Sequence, residues 1–126
     1  LWGRERWTII DFEGEPAKTL EERRRPDSPW RDVAGLFRSI DYATSRHSDP
    51  LSPEPVAWAE QARDAFWSGY CGTNSSVPKV VTAYEIDKAI YEVGYELRNR
   101  PEWVDIPLGA LQRQLRTAPA PSNDKE

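Results

Sequence analysis

Two sets of residues have the types and spacing for chemistry. In the stretch Trp7-Thr8-Ile9-Ile10-Asp11-Phe12-Glu13-Gly14-Glu15-Pro16, an apolar run leads to two carboxylates and is broken at once by glycine and proline. β-Branched and aromatic residues on both pleat faces suit a strand covered on both sides. Asp11 is therefore expected at a strand mouth, where ligands of mixed α/β proteins gather. A hard carboxylate there suits Mg²⁺, which takes oxygen donors and keeps waters and substrate phosphates as the others. Taken alone, the same residues read more simply as a polar turn, with Asp11 bonding nearby backbone and Glu13 and Glu15 solvated.

The second set is Tyr84, Lys88, Tyr91 and Tyr95, which share one face of a helix at i, i+4, i+7 and i+11. Three phenol rings and an ammonium over three turns offer flat apolar surfaces beside hydrogen-bond donors. That combination suits a sugar, whose C–H faces lie on rings while its hydroxyls need partners. The alternative is an amphipathic helix whose tyrosines bury their rings and turn their hydroxyls to water. On the residues alone the two readings stand level.

The elements that must position these groups follow from pattern. Residues 1–16 supply the strand, and Trp2 to Trp7 allow a hairpin turning at Gly3-Arg4. The charged run Glu21-Glu22-Arg23-Arg24-Arg25 reads as a solvated loop or short helical turn. A first helix starts at the N-cap Ser28 with Pro29 next, and Val33, Leu36, Phe37 and Ile40 form its core stripe. A proline-rich connection from Ser45 to Pro55, containing His47, is expected at the surface. A second helix spans about Pro55 to Tyr70, with Ala59, Ala62, Phe66 and Tyr70 on one face and Trp58 and Trp67 flanking it. Gly69 to Lys79 is a loop. A third helix runs from about Val81 to Asn99, and Ile86, Ile90, Val93 and Leu97 are its expected packing face. Pro101 stops it, Trp103, Ile106 and Pro107 anchor the chain, and Leu108, Leu111 and Leu115 indicate a short last helix. Residues 117–126 hold no large apolar side chain and are expected to be a disordered tail, leaving 1–116 as one structural unit.

Several of these stretches together resemble a known family. They are Asp11-Phe12-Glu13-Gly14-Glu15-Pro16, Glu22-Arg23-Arg24, the run from Ser28-Pro29-Trp30-Arg31-Asp32 to Asp41-Tyr42-Ala43, the run from Asp87-Lys88-Ala89-Ile90-Tyr91-Glu92 to Arg100-Pro101-Glu102-Trp103, and Ile106-Pro107-Leu108. The chain resembles the C-terminal part of maltokinases, which share a fold with aminoglycoside phosphotransferases and protein kinases and convert maltose and ATP to maltose 1-phosphate. The resemblance implies a mostly α chain, the helical C-terminal lobe of a protein-kinase-like fold with one short β segment at its N-terminus. It implies that Asp11 binds Mg²⁺ against the phosphates of ATP, that Glu13 supports that metal, and that Lys88, Tyr91 and Tyr95 contact maltose. The resemblance tips the tyrosine face towards sugar binding. Glu92, Glu96 and Arg98 are further candidates, or else i, i+4 surface pairs. The family's His-Gly-Asp motif, which carries the catalytic base, and its nucleotide-binding lobe do not occur in these residues. The expectation is a piece of a longer enzyme, inactive by itself, with association or fusion to trehalose synthase implied by the family and not by these residues.

Composition narrows the alternatives. The chain has 126 residues, enough for one modest core. Twenty-one acidic residues against 17 basic ones leave no basic excess for a nucleic acid partner. One cysteine permits neither an internal disulfide nor a Cys-based zinc site, which fits a cytoplasmic protein. No apolar run approaches the roughly 20 residues that span a bilayer. Two competing readings remain: a kinase of the same fold with another small-molecule acceptor, and a non-catalytic helical module using its 6 tryptophans and 5 tyrosines as an interface.

Overall fold

The computed structural model describes residues 2–3, 5–8, 18–45, 52–73 and 75–117. The chain is mostly α. It opens with a small antiparallel ribbon of β1 (Trp2–Gly3) and β2 (Arg6–Trp7), in register Trp2 with Trp7 and Gly3 with Arg6. Gly3, expected in the turn, is instead paired with Arg6, and Glu5 has φ of 61°. Tight two-residue hairpins need such left-handed backbone because it matches the twist of the flanking strands. Of the strand expected from Trp7 to Ile10, Trp7 pairs with Trp2, and residues 9 and 10 lie outside the described residues. Asp11, Glu13, His47 and the tail 118–126 lie outside the described residues.

Among the described residues five α-helices follow. α1 (Leu20–Arg24) is the short turn expected of the charged run, and it is capped reciprocally: Thr19 Oγ1 accepts from Glu22 N at 3.3 Å, and Glu22 Oε2 accepts from Thr19 N at 2.8 Å. α2 (Pro29–Thr44) starts where its residues say, with Ser28 Oγ accepting from Trp30 N at 3.3 Å. α3 (Pro53–Cys71) begins two residues before the expected start and ends at Gly72, whose φ of 82° glycine tolerates without strain. α4 (Lys79–Asn99) is the longest element, and a single 3₁₀ turn, Pro101–Trp103, links it to α5 (Asp105–Thr117). Ile106 and Pro107, expected in a connecting segment, sit in the first turn of α5.

α2 lies at the centre. Its most extensive contact is with α4, α3 runs beside it, and α5 packs on α4 while reaching the end of α2. Val33, Ala34, Phe37 and Ile40 of α2 meet Trp67 of α3 and Val81 of α4 in the core. Trp30 and Trp67 lie 5.8 Å apart, and Phe37 meets the edge of Phe66 at 6.0 Å. Trp67 Nε1 also donates to Ser75 O at 2.8 Å, fastening the turn after α3 to the core. Among the described residues no helix is long and apolar enough to cross a membrane.

Four expectations about which side chains are buried need correction. On α2, Leu36 is exposed and Arg38 is buried instead. On α3, Trp67 enters the core whereas Tyr70 stays half exposed. On α5, Leu108 and Leu115 face outwards and Pro107 and Ala110 are covered. The largest departure is α4: Ile90 and Leu97 are 60% and 57% exposed, and the buried positions are Val81, Glu85, Ala89, Glu92 and Glu96. α2 and α3 present arginines to this helix, and a buried guanidinium requires a carboxylate opposite it. Charge pairing therefore turned α4 away from its most apolar face.

Candidate functional site

Lys88, Tyr91 and Tyr95 project from α4 into one shallow depression of about 290 Å³, which they share with Tyr42, Glu92, Glu96 and Arg100. The spacing i, i+3, i+7 puts the three on one flank of the helix, beside the ridge that packs on α2. The Tyr91 and Tyr95 rings stack 6.3 Å apart at 23°. The stem of Lys88 runs over Gly35 of α2, where an added Cβ would lie 3.8 Å from its Cε. Tyr84, the fourth member of the stripe, is separated from this group: its ring packs on the core beneath Arg31, whose guanidinium carbon lies 4.5 Å from the ring centre.

The floor of the depression is a hydrogen-bonded cluster. Glu96, only 1% exposed, accepts from the Tyr42 hydroxyl at 2.8 Å and from Arg100 Nη2 and Nε at 2.6 and 2.8 Å. Arg100 itself lies over the rings of Trp103 at 4.5 Å and Tyr95 at 5.6 Å, so the arginine that neutralises Glu96 also braces a wall ring. Burial pushes the Tyr42 phenol well above its ordinary value, and its hydrogen bond to Glu96 adds to the shift. Tyr42 is thus held as a neutral donor. Burial likewise raises the Glu92 carboxyl, although Arg38 opposes the shift. Glu92 and Glu96 are covered groups in helix packing, and Glu96 also makes an i, i+4 pair with the partly exposed Arg100.

Behind this cluster a lattice of charges joins four helices. Arg38 of α2, 1% exposed, donates from Nε to Glu92 Oε2 at 2.8 Å and pairs through Nη1 with Asp41. Arg63 of α3 reaches Glu85 Oε1 at 2.8 Å and Asp41 Oδ1 at 3.3 Å, and Arg113 of α5 reaches Asp41 Oδ2 at 2.8 Å. Burial raises the Glu85 carboxyl against the lowering effect of Arg63. The sequence reading missed this lattice. Its signal was the heptad-like recurrence of glutamate at 85, 92 and 96 on the helix, opposite Arg38 and Arg63.

The chain has distant similarity to known proteins. The chain is 25% identical over 113 residues to a glucosamine kinase of Streptacidiphilus jiangxiensis, a match covering 81% of the chain and 26% of that protein. It is 26% identical over 121 residues to a glucosamine kinase of Mycolicibacterium smegmatis (strain ATCC 700084 / mc(2)155), covering 87% of the chain and 30% of that protein. These relatives are sugar kinases. The chain spans less than a third of the length of the curated relatives it matches. No family model matches it.

The two sets of residues singled out in the sequence therefore fare differently. Lys88, Tyr91 and Tyr95 converge on one depression. Asp11 and Glu13 lie outside the described residues, and among the described residues no group of three or more His, Cys, Asp or Glu side chains could hold a metal ion. Cys71 is an exposed free thiol.

Proposed function

We propose that this chain is the acceptor-binding, helical C-terminal part of an ATP-dependent sugar kinase of the protein-kinase-like fold, with maltose as acceptor and maltose 1-phosphate as product. The observation that carries this reading is the convergence of Lys88, Tyr91 and Tyr95 on one depression floored by Tyr42, Glu96 and Arg100. The stacked Tyr91 and Tyr95 rings supply apolar faces for pyranose C–H groups. Lys88 and the tyrosine hydroxyls supply donors, and the Glu92 carboxylate supplies an acceptor. A sugar held on such a shelf would be oriented for in-line attack by one hydroxyl, which is where positioning gives most of its rate advantage.

Asp11 and Glu13 are the residues that would hold Mg²⁺, since carboxylate oxygens are the donors this cation takes. Bound there, Mg²⁺ would neutralise charge on the phosphates of ATP. The base that accepts the acceptor's proton would come from polypeptide outside these residues, and residues 1–126 alone are expected to be inactive.

The two glucosamine kinases favour a second acceptor, an amino sugar. Carboxylate oxygens at the depression are the groups that pair with a ligand ammonium. The deciding experiment measures ATP turnover, with Mg²⁺, by the longer protein that carries this sequence, offering maltose, glucosamine, glucose, trehalose and an aminoglycoside in turn. Turnover selective for maltose supports the first reading. Selectivity for glucosamine replaces maltose by the amino sugar, and an aminoglycoside alone would remove the sugar assignment. A folded protein that turns over none of them would be a helical interaction module.

A further inference from the structure

We propose that the groove between α3 and α5 is a docking site for a basic amphipathic helix of a partner polypeptide. The groove encloses about 970 Å³ and lies across the α2–α4 contact from the tyrosine depression. Among the described helices α3 approaches the backbone of α2 alone, while α5 packs against α4, and the groove lies between α3 and α5. The space between them is crossed at its floor by Arg63.

Shape selects a helix over a compact ligand. The groove is at the upper end of volumes that enclose small molecules, and it is only partly enclosed. α5 lines the groove from Asp105 to Gln114 and α3 from Pro55 to Arg63, so the groove runs for about 15 Å, the length of nearly three helical turns. Apolar side chains stand on both walls, Val56 and Ala59 on α3 and Ile106 and Leu108 on α5. Val56 and Leu108 are both more than a third exposed, so each has apolar surface left to cover. Anchors at i, i+3, i+4 and i+7 of an entering helix would meet these walls.

Charge selects the helix's flanks. The groove is lined by five carboxylates, those of Asp41, Glu60, Glu85, Glu102 and Asp105, against the guanidinium groups of Arg38, Arg63 and Arg113. The arginines are engaged by Asp41, Glu85 and Glu92 at the floor. Glu60, Glu102 and Asp105 are exposed at the rim and give it a negative sign. Lysine or arginine beside the apolar stripe of the incoming helix would complement them, steering its approach and fixing its orientation. This inference does not depend on the sugar reading.

Residues 1–126 are titrated with two fluorescein-labelled helical peptides of about four turns. One is built of leucine and lysine and the other of leucine and glutamate, and the ionic strength is about 0.15 M so that loose surface attraction is screened. The leucine–lysine peptide is expected to bind saturably at one site, at least about tenfold tighter than its acidic counterpart. Val56→Arg and Leu108→Arg, each at an exposed wall position, should weaken it about tenfold, as should Glu60→Lys combined with Glu102→Lys. Leu36→Arg, exposed on α2 and outside the groove, should leave it unchanged. Equal binding of both peptides would overturn the proposal. So would binding that survives both wall substitutions, or sedimentation showing that the chain self-associates through this face.

Discussion

Arg38 Nε donates a 2.8 Å hydrogen bond to Glu92 Oε2 across the α2–α4 contact. Arg38 lines the groove between α3 and α5, and Glu92 lines the tyrosine depression. One covered ion pair is thus the wall that the two concavities share.

Removing one partner of this pair leaves buried charge without compensation. Arg38→Ala is expected to destabilise the chain by about 3–5 kcal/mol, read as the shift in a urea unfolding midpoint. Arg38→Met combined with Glu92→Gln should recover a large part of that loss, because it removes both charges and keeps the volume. A double variant as unstable as Arg38→Ala would show that packing, not stranded charge, governs the contact.

Stability should depend on pH through Glu85 and Glu92. Both carboxyls are raised above their ordinary value of 4.5, with burial as the largest cause. In the window above 4.5 the folded chain binds more protons at these positions than the unfolded chain does, so their contribution is full below the window and is lost as pH rises through it. The exposed Glu22 and Asp27 are shifted downwards and act in the opposite sense at lower pH. Glu85→Gln and Glu92→Gln should each flatten the decline in unfolding free energy between pH 4.5 and neutrality, measured by urea titration at a series of pH values. An unchanged slope in both variants would mean that the two glutamates do not carry the effect.

On the proposed sugar reading, Tyr91→Ala should raise the acceptor KM by about tenfold with a smaller change in kcat, because it removes binding surface and no reacting group. Tyr91→Phe keeps the ring and should lie closer to the parent. Arg98→Ala, on an exposed side chain outside the depression, should be neutral. Steady-state kinetics against the preferred acceptor distinguish these cases, and equal effects of Tyr91→Ala and Arg98→Ala would detach the rings from binding.

The apolar positions that α4 leaves outside should tolerate charge. Ile90→Lys and Leu97→Lys are each expected to change the unfolding free energy by no more than about 0.5 kcal/mol, since neither side chain is in the core. A loss of several kcal/mol would place these residues in a packed interface.

Local signals were legible in the sequence wherever one residue type has one job. Ser28 and Pro29 start α2, Pro101 ends α4, and Val33, Phe37 and Ile40 are the core stripe that their spacing describes. The grouping of Lys88, Tyr91 and Tyr95 was visible in the same way. Burial on α4 was not, because hydrophobic periodicity assigns charged residues to the outside and has no means of seeing a cation on another helix. Glu85, Glu92 and Glu96 are inside because Arg63, Arg38 and Arg100 meet them. The pairings of Glu85 and Glu92 join residues far apart in the chain, which a single amphipathic pattern does not encode, whereas Arg100 lies one turn beyond Glu96. Tyr84 left its stripe for a related reason: Arg31, tied to Asp87 at 2.8 Å, lies over its ring.

The lateral position of α3 also sets an order of motion. Its backbone neighbours α2 alone among the described helices, while its C-terminal half is fastened by Trp67 in the core and by the bond from Trp67 to Ser75. Within α3 the first turns from Pro53 are less anchored than the C-terminal half, so their amides should surrender deuterium protection before those of the α2–α4 contact. Fraying would start at the end that carries Val56 and Ala59, making access to that surface a matter of breathing as well as shape.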